Sequence, residues 1–155
     1  MEKVISLDTK DFIEFYDSCT PRVREALKSL FNPIIMEYLI YSIKTFEDAS
    51  LRTLGKVVEF DAELDKQSKA SMKLKIISEA LNDGWEPTDI YYYPSFYIEG
   101  GVFKLQDIKL GNINIPTTEF PNNSPEFYFR NRELADYASQ NFIELWRDFY
   151  IKNKY

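Results

Sequence analysis

Residues 90–103 read IYYYPSFYIEGGVF, and this stretch decides the fold class that the sequence predicts. Its rings alternate along the chain in the way that is typical of a strand, where successive side chains point to opposite faces. The glycine pair at 100–101 then favours a tight turn, because glycine takes positive φ without steric cost. A two-residue loop, either Gly100-Gly101 or Glu99-Gly100, predicts a β-hairpin in which Phe103 and Leu105 return on the face of Phe96 and Ile98.

The two faces of the first strand lead to different predictions. The even positions are expected to pack into the core with Phe103 and Leu105 of the second strand. These positions are Ile90, Tyr92, Pro94, Phe96 and Ile98. The odd positions are expected to project tyrosine rings from the other face, either under a loop or as a platform for a partner. The candidate binding residues are Tyr91, Tyr93, Tyr97 and Lys104. Pro94 cannot donate to a ladder, which predicts an edge or bulged position.

Helical spacing is found on both sides of the hairpin. The clearest apolar stripe falls on one helix face and consists of Ala70, Leu74, Ile77 and Leu81. Gly84 favours the left-handed conformation just past the end of this helix, and Pro87 prevents its continuation. Asn131 is expected to cap a final helix. The buried stripe of that helix is expected to be Leu134, Ala138, Phe142, Leu145 and Phe149, with Trp146 beside it.

Proline punctuates the N-terminal third. A first short helix begins after Asp8 or Thr9, and Pro21 and Pro33 are each expected to open a further helix at its first position. VVEF at 57–60 is a possible short strand, and FYFR at 127–130 is a possible returning strand. Residues 110–126 hold three prolines among polar residues and predict an extended surface loop.

These patterns predict a single α+β domain over residues 1–155. In it, a small antiparallel sheet within about residues 90–130 packs with N-terminal helices and a C-terminal helix.

The composition excludes several kinds of catalytic site. The chain has 155 residues, no histidine and a single cysteine, Cys19. Ser-His and Cys-His nucleophile pairs and histidine-based metal sites therefore cannot be built. A single cysteine cannot form an intrachain disulfide, and the sequence shows neither a signal core nor an apolar run of membrane-spanning length. We expect a cytoplasmic protein without membrane association.

Charge favours a protein partner over nucleic acid. The net charge is −6, whereas affinity for a polyphosphate comes mainly from lysine and arginine. Stacking of single-stranded nucleic acid or a nucleotide on the tyrosines remains the alternative, and it requires cations beside the rings.

Two acidic groupings suggest the other alternative, a histidine-free enzyme that uses carboxylates. They are Asp61, Glu63 and Asp65 in the first, and Asp83, Glu86 and Asp89 in the second. Neither matches a complete metal-binding loop, and acids at a helix start are explained by the helix dipole. The sequence therefore predicts no metal site, no cofactor and no catalytic residue.

Several segments together resemble a family of uncharacterised proteins from phages, prophages and mobile elements of Bacteroides-type gut bacteria. The segments are IKTFEDA with the following LG (43–55), KLKIISEALNDGWEP (73–87), YYYPSFYI (91–98) and RELADYASQNFIELWRDF (132–149). FYFRNREL stands where that family carries a segment of Ser-Arg-Leu-Cys-Phe character. The resemblance implies a phage or mobile-element origin and a life in the cytoplasm of the bacterial host, and it implies no activity. We therefore expect a non-enzymatic protein that binds a host or phage protein through the aromatic sheet face or the adjacent 110–126 loop.

Overall fold

A computed structural model describes residues 9–114 and 127–151. The chain divides into two compact units, Met1–Tyr41 and Ser42–Tyr155. Each unit is described by itself, and one domain over the whole chain stays a prediction. No helix in the described ranges is both long enough and apolar enough to cross a membrane.

The first unit contains helix α1 (Thr9–Ser18) and nearly all of helix α2 (Pro21–Ser42). Pro21 opens α2 as predicted, and the Thr20 carbonyl oxygen accepts from the Arg24 N–H at 3.0 Å. The prediction that Pro33 opens another helix is wrong, because α2 runs through it without a break. Proline removes one N–H from the helical ladder, but its fixed φ fits a helix, so a long helix can tolerate it.

The described residues of the second unit form four helices: α3 (Phe46–Leu54), α4 (Lys66–Asn82), α5 (Arg132–Asn141) and α6 (Ile143–Tyr150). The predicted stripe of α4 is confirmed, since Ala70, Leu74, Ile77 and Leu81 are all buried. The end of α4 is also as expected, with Gly84 at φ 82° directly after a left-handed Asp83.

Two predictions for this unit are wrong. Residues 57–60 form no strand, because the backbone there is held by a side chain: the Ser50 hydroxyl accepts from the Val58 N–H at 3.0 Å and donates to the Lys56 carbonyl at 2.6 Å. The single final helix is two helices that meet at Phe142, whose φ and ψ of −114° and 28° are not helical. Asn131 caps α5 as predicted, by accepting from the Leu134 N–H.

The hairpin is confirmed. Strand β1 (Ile90–Glu99) pairs antiparallel with strand β2 (Val102–Asn112) across a two-residue glycine loop at 100–101, where both glycines have positive φ. Phe103 and Leu105 lie on the predicted face, with Phe96 opposite Leu105 and Ile98 opposite Phe103. The register shifts between Ser95 and Phe96, which leaves Gln106 as an extra residue on β2, a β-bulge opposite this step.

The two faces of β1 do not separate into a buried even face and an open odd face. On the odd face Tyr91 and Tyr93 are buried, whereas on the even face Ile90 and Ile98 are exposed. The reason is that different elements cover the two ends of the hairpin. Tyr128 packs on Tyr91 at the open end, and α6 packs on the even face near the turn.

The segment at 127–130 makes one strand-like contact with β1 in place of a returning strand. Tyr92 and Phe129 exchange two backbone hydrogen bonds, of 2.9 and 2.8 Å, in an isolated bridge. Asn82 holds the same segment, because its side-chain amide donates to the Tyr128 carbonyl and accepts from the Arg130 N–H. The predicted loop at 110–126 begins inside β2, and its residues 115–126 lie outside the described residues.

Candidate functional site

Two of the four candidate binding residues are structural. Tyr91 is 1% exposed and Tyr93 is 6% exposed, with their ring centroids 5.9 Å apart. The Tyr91 ring lies over Gly111, where a Cβ atom would overlap it, and burial raises the pKa of the Tyr91 hydroxyl. Tyr91 is therefore part of the core and cannot meet a partner without local unfolding.

The other two candidates lie near the turn. Tyr97 is 39% exposed and stands opposite Lys104 in the register. The Lys104 ammonium lies 3.1 Å from the Glu99 carboxylate, in an ion pair whose two side chains are both well exposed. Tyr97 is accessible, and Lys104 already has a partner of opposite charge.

An open groove of about 610 Å³ lies at this end of the hairpin. We call it the aromatic groove. Its lining consists of Tyr93, Pro94, Ser95, Phe96, Tyr97, Ile98, Phe103, Tyr150 and Ile151. Six consecutive residues of β1 contribute, so both faces of that strand border the groove. Ile98 and Tyr150 are 59% and 50% exposed, which leaves a contiguous apolar surface open to solvent.

A cluster of rings supports one side of the groove. Phe96 stacks on Phe103 with centroids 4.8 Å apart, and Tyr150 lies 5.7 Å from Phe96 and 6.4 Å from Phe103. Behind them the buried Trp146 is 5.3 Å from Phe96. Because Trp146 also donates to the Ala138 carbonyl at 3.0 Å, the cluster is fixed to both C-terminal helices.

Sequence reasoning missed most of this site, since only Tyr93 and Tyr97 of its lining were among the candidate binding residues. It assigned Phe96, Ile98 and Phe103 to the core, although all three line the groove, and it gave no role to Tyr150. One signal was available: Tyr150 follows Trp146 by four residues, so the two rings share a helix face. In the structure the two rings are near-parallel, at 18°.

The lining carries no charge. None of the lining residues is acidic or basic. Beside the groove, a smaller depression of about 220 Å³ shares Phe103 and is bordered by Arg147 and Glu144, which form an ion pair of 2.6 Å. Arg147, which is also 3.6 Å from Asp148, is therefore paired with acids beside the groove, and the uncharged lining suits an uncharged, apolar ligand.

The two acidic groupings do not converge on the groove. Asp65 caps α4 by accepting from the Ser68 N–H, and hydrogen bonds from Ser68 lower the pKa of this carboxyl. Asp83 lies 3.3 Å from Arg52. Within residues 9–114 and 127–151, no group of three acidic or cysteine side chains is arranged to hold a metal ion.

No protein-family model, curated protein or solved structure matches this chain. The geometry of the groove is therefore the basis for the functional proposal.

Proposed function

We propose that this protein is a non-enzymatic binding protein that engages another protein through the aromatic groove. The observation that carries the proposal is an open, uncharged groove lined by aromatic and aliphatic side chains, several of them well exposed. Tyrosine and other aromatic residues at the centre of an apolar surface are typical of protein-binding hot spots. The resemblance in sequence adds the proposal that the partner is a phage protein or a cytoplasmic protein of the bacterial host.

Nucleic acid fits this groove less well than protein does. Stacked bases bring phosphates with them, and phosphates require nearby cations. The described cations at the rim, Lys104 and Arg147, are paired with Glu99 and Glu144, and the chain as a whole carries a net charge of −6. A carboxylate enzyme is disfavoured because the lining includes no acidic residue.

Affinity capture from phage-infected host lysate tests the proposed function. Tagged full-length protein and its Tyr97→Ser variant are compared, with nuclease-treated samples in parallel. The matched control is Leu110→Ser, because Leu110 is also exposed on the hairpin but lies outside the groove.

A partner that survives nuclease, is lost with Tyr97→Ser and is kept with Leu110→Ser supports the proposal. A partner that is retained equally by both variants contradicts it. Recovery that depends on nucleic acid would favour base stacking instead.

A further inference from the structure

The two long edges of the hairpin differ in how they are protected. On the outer edge of β2, the Arg132 guanidinium donates to the Ile108 carbonyl at 3.1 Å and pairs with Asp107 at 3.0 Å. The bulge that follows Leu105 further disrupts this edge. Bulges and charged side chains are the usual devices that keep an edge strand from pairing with another chain.

Within residues 9–114 and 127–151, the edge of β1 that faces away from β2 has no strand partner beyond Tyr92. At Tyr92 this edge is paired with Phe129. Pro94 follows two residues later and has no N–H that could continue this pairing. The 127–130 segment does not continue along the edge either, because Phe127 packs on Trp146 and Phe149. Among the described residues, no strand pairs with this edge between Phe96 and Ile98.

Alternation along the strand places unpaired backbone groups on this open edge. In an antiparallel pair, the N–H and C=O of successive residues point alternately toward and away from the partner strand. Tyr92 points away from β2, since its bonds go to Phe129. Glu99, which flanks the two-residue loop opposite Val102, points toward β2. Counting along the strand from either Tyr92 or Glu99, the alternation places the N–H and C=O groups of Phe96 and Ile98 on the open edge.

The aromatic groove follows this edge. Its lining takes every residue of β1 from Tyr93 to Ile98, which are residues of both faces, together with Phe103 of β2 and Tyr150 and Ile151 at the end of α6. Because residues from both faces of β1 border the groove, the backbone edge of β1 lies between these two sets of residues, along the groove. An extended chain placed there has hydrogen-bonding groups in line with it and apolar rings on either side.

We infer that the aromatic groove binds an extended, uncharged segment of the partner protein as an additional strand on the β1 edge. This inference rests on the proposed function and specifies the partner's chemistry. The added strand pairs with Phe96 and Ile98 and continues, beyond Pro94, the pairing that Phe129 begins. Its side chains alternate between the Phe96, Phe103 and Tyr150 rings and the Tyr97 ring. Apolar and β-branched residues fit, since the lining offers no counter-charge.

Amide hydrogen exchange of the full-length protein tests the open edge without any ligand. We expect the Phe96 and Ile98 amides to exchange much faster than the Tyr97 amide, which points toward β2, and the Tyr92 amide, which bonds to Phe129. Equal protection of all four amides in dilute protein would overturn the inference, because the edge would then be covered. Protection of Phe96 and Ile98 that is lost on dilution would also overturn it, in favour of pairing between two copies of the chain.

The binding test uses capped peptides titrated into labelled full-length protein and followed by NMR. The main probe alternates valine and threonine over six residues between Ser-Gly flanks. The comparison probes are the same peptide with alternate backbone nitrogens methylated, a proline-rich peptide and an amphipathic helical peptide. We expect saturable binding of the first probe with new protection of the Phe96 and Ile98 amides. Methylation on the edge-facing nitrogens should weaken binding about tenfold, which is the effect of one or two lost hydrogen bonds.

Proline substitution provides a matched pair of variants. Ile98 and Leu110 are each 59% exposed, and their N–H groups point outward on opposite edges of the hairpin. Proline at such a position leaves the β1–β2 ladder intact. Ile98→Pro should weaken binding of the valine-threonine peptide about tenfold or more, whereas Leu110→Pro should change it less than about twofold.

Stronger binding of the proline-rich or helical peptide, without protection of the Phe96 and Ile98 amides, would overturn the added strand. No binding by any of the peptides would overturn it as well. Neither result contradicts the proposed function, which fails if Tyr97→Ser leaves the captured partner unchanged or if recovery of the partner depends on nucleic acid.

Discussion

At the scale of single residues, burial separates tyrosines that alternation along the strand places together. Tyr91 is 1% exposed and Tyr97 is 39% exposed, although both occupy odd positions of β1. Tyr91→Ser should lower the free energy of unfolding by about 3–5 kcal/mol, because it empties a space enclosed by Gly111 and Tyr128. Tyr97→Ser should lower it by less than about 1 kcal/mol. Urea denaturation followed by tryptophan fluorescence measures both.

Equal losses of stability from the two substitutions would contradict this assignment. The contrast also determines how the site must be probed. A protein in which Tyr91, Tyr93 and Tyr97 are all serine would lose binding by unfolding, so Tyr97 has to be changed alone.

The position of the Tyr91 ring leaves no space for a side chain at Gly111. Its backbone does not need positive φ, but a Cβ atom there would overlap the ring, which burial prevents from moving away. Gly111→Ala should therefore lower the free energy of unfolding by about 1–3 kcal/mol. Chemical denaturation of Gly111→Ala, Tyr91→Leu and the double variant measures the coupling between the two sites. If the effects of the two single changes simply add in the double variant, the overlap is not the cause.

At the scale of elements, local sequence signals predicted the hairpin and α4. They failed where the structure of a segment depends on contacts with residues far away in sequence. The glycine loop and the alternation of rings set the register of β1 and β2, and the stripe from Ala70 to Leu81 predicted the buried face of α4. The break at Phe142 was not predicted, because the apolar stripe runs on through it. Which face of β1 is buried depends on Tyr128 and α6, which lie far away in sequence.

Helix α3 carries an acid-sensitive contribution to stability. The Asp48 carboxylate accepts from the backbone N–H groups of Lys44 and Thr45, each at 3.0 Å, and Thr45 accepts from the Asp48 N–H in return. The bond from Lys44, followed by those from Thr45, lowers the pKa of Asp48 below its ordinary value of 3.8. The contribution of the Asp48 carboxylate to the free energy of unfolding is therefore fully present above the ordinary pKa and is lost as the pH falls through the lowered pKa.

Asp48→Ala should lower the free energy of unfolding by about 0.3–1 kcal/mol at pH 7. The difference from the wild type should shrink below about pH 4, where the wild-type carboxyl becomes protonated. Thermal unfolding between pH 2 and pH 7 measures this. Glu47→Ala, one residue earlier in the same exposed helical turn, is the control and should show a smaller effect. A difference for Asp48→Ala that is independent of pH would contradict the role of the carboxylate.

At the scale of the whole molecule, the candidate site depends on elements of the second unit alone. The rings of β1 and β2, the 127–130 segment and helices α5 and α6 form one connected set of contacts through Trp146, which is 1% exposed. The sequence predicted the hairpin and a helical C-terminal segment, but it predicted neither the break between α5 and α6 nor the assembly of these elements around Trp146. That assembly brings Tyr150 beside the turn and creates the groove.

The fragment 42–155 should therefore fold without the preceding residues. Its described core includes Leu74, Ile77, Phe129 and Trp146, all 1% exposed or less, and its length is ordinary for a domain. Both tryptophans of the chain, Trp85 and Trp146, lie in this unit, so tryptophan fluorescence reports its unfolding in the full-length protein as well. We expect the fragment to unfold cooperatively in urea, with a midpoint close to that of the tryptophan transition of the full chain. Broad unfolding without a defined near-ultraviolet circular dichroism signal would mean that residues 1–155 fold only as one domain, and that the groove requires the N-terminal helices.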